Sequence, residues 1–309
     1  MAGKAAMRRT MAARVETYLA WRRALGYKLR IEGQMLQSFA RYADHSGHCG
    51  PLTRSLALRW AALPRGADRL YQARRLETVR VFAKHQAVTE PATEIPPRHA
   101  LGPAHRRSAP HLYSPNEVGL LLRRAAQLPG RLRAATYQTL LGLLACTGLR
   151  ISEVLALQIG DVDLEHGVLT VRETKYHQTR LVPLHPTALP PLKHYERRRQ
   201  KLFPGAQHFF ISDRGRRFAY TTVRTVFREL AEGFVPNSNR RHVRLHDLRH
   251  TFACRVLLGW QRSHRGAIGR MTVLSRYLGH QRVSDTYWYL SATPELLTEA
   301  ARRFVPSQK

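Results

Sequence analysis

The stretch LHDLRHTFACRVLLGW (245–260), followed by QRSHRGAIGRM (261–271) and TVLSRYLGHQRVSDTYWY (272–289), decides how this chain is read. Within it stand His246, Arg249, His280 and Tyr289, four side chains that can bind and attack a phosphate. His246 and Arg249 are three residues apart on a run with helical periodicity, so both can reach one ligand. No glycine-rich loop, acidic metal-ligand set or paired cysteines accompany them.

Composition bounds the rest. The 309 residues leave room for two domains, and Lys plus Arg number 51 against 21 Asp plus Glu, a formal net charge of +30. A surplus of that size, spread along the whole chain, favours a polyanionic partner, because self-repulsion otherwise only costs stability. Cys49, Cys146 and Cys254 lie far apart and fit neither a disulfide framework nor a zinc site; Cys146 and Cys254 sit in apolar helical runs and are expected in the core. No apolar run approaches the roughly 18 residues of a membrane span. The basic N-terminus lacks the apolar segment of a secretory signal, so the expectation is a soluble, cytoplasmic protein with no membrane partner.

Upstream, residues 1–88 read as a small helical bundle. Val15, Tyr18, Leu19 and Leu25 recur at helical spacing before Gly26, Leu29, Leu36, Phe39 and Tyr42 mark a second helix, and LTRSLALRWAALP (52–64) a third. A fourth begins at Asp68 with Leu76, Val79 and Ala83 on one face and Arg69, Arg75, Arg80 and Lys84 elsewhere, on a solvated or a DNA-facing side. Residues 89–113 hold Pro91, Pro96, Pro97, Pro103 and Pro110 among His99, His105, Arg106 and Arg107, and read as an extended basic linker. Residues 114–309 form the second domain. Ser114, Pro115 and Glu117 spell a helix start with a capping box, and an apolar helix ends at Gly148. The period then changes to two: GVLTVRE (167–173) and TRLVPLH (179–185) read as a hairpin with Lys175 at its tip, and HFFIS (208–212) as a further short strand. Helices are expected near 187–202, 221–232 and 246–258. The fold class is mainly α with a small antiparallel β-sheet.

Each candidate has a bland reading. An arginine at a helix junction (Arg150) or a lysine at a hairpin tip (Lys175) is commonly a solvated charge, a histidine after Leu-Gly (His280) can be a helix cap, and a tyrosine among aromatics (Tyr289) is commonly core. Taken together and in order, however, TGLRISEVLAL (147–157), TKYHQTRLVPL (174–184), HDLRHTFA (246–253) and LGH (278–280) with Tyr289 nine residues on resemble the tyrosine recombinase (phage integrase) family. The bundle, opening with YLAWRRALGY (18–27), resembles that family's SAM-like core-binding domain, and 114–309 its catalytic domain. The resemblance implies that Arg150, Lys175, His246, Arg249 and His280 activate a phosphate and that Tyr289 is the nucleophile.

Chemistry agrees with that implication. A phenol with a free pKa near 10 attacks only when the phosphate is made electrophilic and the phenolate stabilised. Two arginines can donate paired hydrogen bonds to the non-bridging oxygens, lysine can protonate the leaving 5′ oxygen, and neither metal nor cofactor is required of the protein. Attack would leave a 3′-phosphotyrosyl bond and a free 5′-hydroxyl, so resealing needs no ATP. Glu153, three residues after Arg150, reads as the residue that orients it. Tyr287 lies roughly 200° around a helix from Tyr289, and the spacing favours Tyr289. The family has a shorter connection between the positions of Arg249 and His280; the excess falls on a basic insert at 259–270.

The resemblance further implies double-stranded DNA as partner and a homo-oligomer, a tetramer assembled on DNA either alone or with related recombinases, with the tail TPELLTEAARRF (293–304) docking on a neighbour. The function it implies is integration, excision or transposition of a mobile element. A catalytically silent architectural subunit and a type IB topoisomerase-like relaxing enzyme are the alternatives.

Overall fold

In the computed structural model, residues 10–63, 66–104, 109–172, 179–236, 242–262 and 270–291 are described. They fall into two compact units, divided between 107 and 108.

The first unit is four helices, α1 (Met11–Ala24), α2 (Arg30–His45), α3 (Arg54–Ala62) and α4 (Arg69–Thr89). Three start on side-chain caps: Thr10 accepts from Ala13 N–H, Thr53 from Leu56 N–H and Asp68 from Leu70 N–H, each satisfying an amide that has no intrahelical partner. Val15, Leu19, Phe39, Trp60, Val79 and Phe82 are the centre of its core. Leu25 lies outside it, 56% exposed just beyond α1. Arg75 is a difference from the expectation. Although placed by periodicity off the apolar face, it is buried, with its guanidinium 3.7 Å from the centre of the Trp60 ring and Nη2 donating to Trp60 O at 2.8 Å. A planar cation on an indole face recovers part of the cost of burying its charge, a contact that no helical periodicity encodes. The proline-rich stretch after α4 folds back on the same unit: Glu94 N–H donates to Leu52 O (2.8 Å), and Arg80 and Arg74 donate to the carbonyls of Pro96 (2.9 Å) and Ala104 (3.1 Å).

The second unit begins with α5 (Pro115–Ala126), whose capping box between Ser114 and Glu117 is formed in both directions. Then follow α6 (Arg131–Thr147), the single-turn α7 (Ile151–Val154), strands β1 (Val162–Asp163), β2 (Val168–Val171) and β3 (Arg180–Pro183), and helices α8 (Leu189–Leu202), α9 (Tyr220–Leu230), α10 (Leu245–Arg262), α11 (Met271–Leu278) and α12 (Ser284–Ser291). The sheet is antiparallel in the order β1-β2-β3, with Leu169 opposite Val182 and Val171 opposite Arg180. Leu169, Val171 and Val182 turn inward, as the alternation requires.

Three expectations change. HFFIS forms no strand among the described residues but two isolated bridges, Gln158 with His208 and Ile211 with Arg217; Phe209, Phe210 and Ile211 are all buried in succession, so the run serves as apolar core and pairs only at single positions. Helix α10 runs on to Arg262 and takes up the start of the basic insert. Cys146 is exposed, whereas Cys254 is buried as expected.

Two apolar clusters make this unit. One joins α5, α6, the sheet, α8 and α9 through Leu140, Leu144, Val154, Tyr195, Phe210 and Phe227. The other joins α10, α11 and α12 through Ala253, Leu257, Leu274, Leu278 and Tyr289. Tyr277 packs against both, and the candidate site lies along this seam.

Candidate active site

Two helix ends build the site. α6 stops at Gly148, whose φ of +63° is the left-handed conformation that favours glycine, and α11 stops at Gly279 with φ +68°. The carbonyls at such ends lack intrahelical donors and carry the negative end of the helix dipole. Arginines satisfy them. Arg249, on the buried face of α10, donates from Nη1 to Gly148 O at 2.9 Å and from Nη2 to Leu278 O at 2.7 Å. Arg150, at the start of α7, donates from Nη2 to Gly279 O at 3.0 Å. Close packing enforces the first of these turns: a Cβ on Gly148 would lie 2.5 Å from Phe252 Cδ1.

Glu153 is buried and orients Arg150, accepting its Nη1 at 2.9 Å and its backbone N–H at 3.0 Å. It also accepts both Nη atoms of Arg180, at 3.1 and 2.8 Å. Burial alone would raise this carboxyl, but the hydrogen bonds and charge of Arg180, with those of Arg150, hold it below the usual carboxylate range.

Tyr289, on α12, is 2% exposed. Burial raises the pKa of its hydroxyl, against the opposing charge and hydrogen bond of Arg249. Its ring stacks on His280 at 6.0 Å and meets His250 at 5.4 Å. Thr286 fixes the His280 ring through Nδ1 at 2.8 Å. Loss of water and the nearby Arg249 and Arg150 charges bring His280 down to about 4. His246 is exposed at the mouth of the site, yet its imidazole is desolvated enough that burial, then Arg249 and Arg244, likewise pull it to about 4. Arg249 itself falls to about 10, by burial first and by Arg150 second, and stays a cation at neutral pH.

The structure thus brings Arg150, His246, Arg249, His280 and Tyr289 to one seam. Lys175 lies outside the described residues, as do most of the basic insert and the C-terminal tail. Tyr287 is 47% exposed, where Tyr289 is buried. Three participants escaped sequence reasoning: Arg180 on β3, Thr286, and His250, whose ring touches those of His246 (4.8 Å), Trp288 (5.1 Å) and Tyr289. His250 stood in the quoted HDLRHTFA and is one helical turn from His246, which was the available signal. No helix among the described residues is long and apolar enough to cross a membrane.

A helical catalytic unit with paired arginines converging on a buried tyrosine defines a class, and the family comparison agrees with it. Residues 114–295 match the model of the phage integrase family, and the chain belongs to that family, the tyrosine recombinases. It is 39% identical to a putative integrase/recombinase, y4rB, of Sinorhizobium fredii, over 94% of this chain and 95% of that protein. It is 35% identical to the tyrosine recombinase XerA of Pyrococcus furiosus over 52% of each. Among solved structures, the Tn1549 transposon integrase in complex with transposon right end DNA shares the fold, with a TM-score of 0.71 at 16% identity, covering 96% of this chain and 99% of that one.

Proposed function

We propose that this chain is a site-specific recombinase that cuts and rejoins double-stranded DNA through a covalent bond to Tyr289, serving the integration, excision or transposition of a mobile element. The observation that carries the reading is the buried Tyr289, whose ring lies on that of His280, beside the arginines Arg150 and Arg249 that meet at the end of α11. The net charge of +30 supports a DNA partner, and so do relatives named integrase and neighbours solved on DNA.

In this reading, the scissile phosphate lies against the exposed edge of Arg150 and the inner guanidinium of Arg249. These stabilise the non-bridging oxygens as charge grows on them in the transition state. The Tyr289 oxygen attacks phosphorus and gives up its proton to His246; the 5′ oxygen leaves and takes a proton from Lys175. The products are a 3′-phosphotyrosyl bond and a 5′-hydroxyl, and attack by a second 5′-hydroxyl reverses the step on a new strand without ATP or metal. His246, held near 4 by burial and cations, is a weak base in the free protein. An entering phosphate offsets those cations and raises its basicity when it is needed. The bundle before 108 and the unit after it each bind DNA, in a tetramer on the recombining DNA.

A test uses nicked duplexes with a randomised core, mixed with the protein and recovered as covalent adducts under denaturing conditions. Wild type is expected to capture a sequence family, which then serves as substrate. Arg249→Ala is expected to bind that DNA and cleave it at least about a hundredfold more slowly, as for loss of a transition-state donor. Absence of any wild-type adduct, or unchanged cleavage by Arg249→Ala, overturns the reading.

A further inference from the structure

Three successive carbonyls at the end of α11 each accept from a different arginine. Tyr277 O takes Arg180 Nε at 2.9 Å, Leu278 O takes Arg249 Nη2 at 2.7 Å, and Gly279 O takes Arg150 Nη2 at 3.0 Å. Arg180 is thus the third guanidinium of the cluster, joined to it from the first residue of β3. Its other two nitrogens are both committed to Glu153, and only 12% of its side chain is exposed, against 32% for Arg150. All three of its nitrogens are thus engaged within the protein.

We propose that Arg180 is a positioning residue for strand cleavage, resting on the recombinase reading above: it shares Glu153 with Arg150, so that Arg150 is oriented without being neutralised. The charges support this. Arg150, Arg180 and Arg249 stand around one carboxylate and leave a surplus of positive charge for the phosphate. Without Arg180, both oxygens of Glu153 would face Arg150 alone, and the favoured geometry for that pair is a bidentate clasp. Such a clasp turns Arg150 away from the substrate and neutralises the charge it would offer to the phosphate. Packing supports it as well. The Arg180 guanidinium lies directly against the chain before His280, where a Cβ on Gly279 would come within 2.7 Å of its Nη1. One side chain therefore supports both the residue that holds Arg150 and the one that leads into His280.

A purely structural role and a positioning role differ in how Arg180 and Glu153 combine. The experiment is single-turnover cleavage of the captured nicked duplex at saturating protein, with DNA affinity and melting temperature measured in parallel. Arg180→Gln is expected to bind the duplex as wild type does and to cleave it at least about tenfold more slowly, the usual scale for partners that orient a reacting group. Glu153→Gln in the Arg180→Gln background is expected to restore part of that rate, or at least to cost nothing further, because the harm travels through the unshared carboxylate. Cleavage by Arg180→Gln at the wild-type rate, or losses that multiply in the double variant, overturns the proposal. Should Arg180→Gln fail to fold, Arg180→Lys carries the same comparison: its single ammonium cannot match the two-nitrogen contact with both Glu153 oxygens, so it is expected to cleave more slowly than wild type and to lose nothing more with Glu153→Gln, and a wild-type rate or multiplied losses overturn the proposal. A wild-type protein that forms no adduct indicts the recombinase reading; wild-type cleavage with an unaffected Arg180→Gln removes only the role of Arg180.

Discussion

Replacing Gly148 by alanine tests the architecture of the site at its tightest point. Gly148 has φ +63°, and an added Cβ would lie 2.5 Å from Phe252 Cδ1 and 2.9 Å from Cγ, distances that real atoms do not adopt. The left-handed backbone alone costs about 1–2 kcal/mol for a residue with a Cβ. Displacing the Phe252 ring, which projects from α10 and stacks on Tyr277 at 5.6 Å, adds about 1–3 kcal/mol of overpacking. The sum, about 2–5 kcal/mol, corresponds to a fall in melting temperature on the order of 10 °C for a unit of this size. Gly233 supplies the control: it has φ +82° but open space around its Cβ position, so Gly233→Ala bears the backbone cost without the clash. Calorimetry on the full chain should show Gly148→Ala lowering the second unit's transition well beyond Gly233→Ala. Because Gly148 O holds Arg249, its cleavage rate should fall too. Equal shifts for the two variants would refute the claim that Phe252 is packed against this turn.

Other consequences are open to measurement. Arg75→Ala removes a cation from the face of Trp60 and leaves Trp60 O without its donor; a loss of about 2–3 kcal/mol is expected by denaturant titration, and a loss below about 0.5 kcal/mol would mean that Arg75 is a surface charge after all. The pH dependence follows from the two histidines. His246 and His280 are brought from 6.5 to about 4 in the fold, so the unfolded chain binds more protons between those values. Their stabilising contribution is therefore complete above pH 6.5 and is lost as pH falls toward 4. The melting temperature should drop across that window, and less so in His246→Gln/His280→Gln; parallel curves would contradict the desolvation of both rings. DNA affinity should fall at least about a hundredfold between about 50 and 200 mM salt if four or more phosphates are neutralised; a flat dependence would remove the net charge from the explanation of binding.

What could be read from the sequence was local chemistry. The Ser114–Glu117 capping box, the stop at Gly148 and the inward alternation of Leu169, Val171 and Val182 each depend on neighbours a few residues away, and each is present. What could not be read depends on contacts across the chain. The position of Arg180 against Tyr277 and Glu153 and the burial of Arg75 on Trp60 are set by tertiary approach, which carries no period. The apolar HFFIS run promised a strand because β-propensity and burial look alike in a short segment; the fold used it as a buried connection. Of the candidate site, the residue types were legible as a set because their order along the chain is itself informative. Their shared supports, the carbonyls at the ends of α6 and α11, were not, since every residue has a carbonyl and only the fold selects which ones are left open.

The central claim is that Tyr289 is the residue that becomes joined to DNA. Digesting the covalent adduct with protease and nuclease, then sequencing the modified peptide by mass spectrometry, tests it directly. The account predicts a nucleotide 3′-phosphate on Tyr289 and no adduct from Tyr289→Phe, while Tyr287→Phe still forms one. A modified Tyr287, or an adduct that survives in Tyr289→Phe, would contradict it.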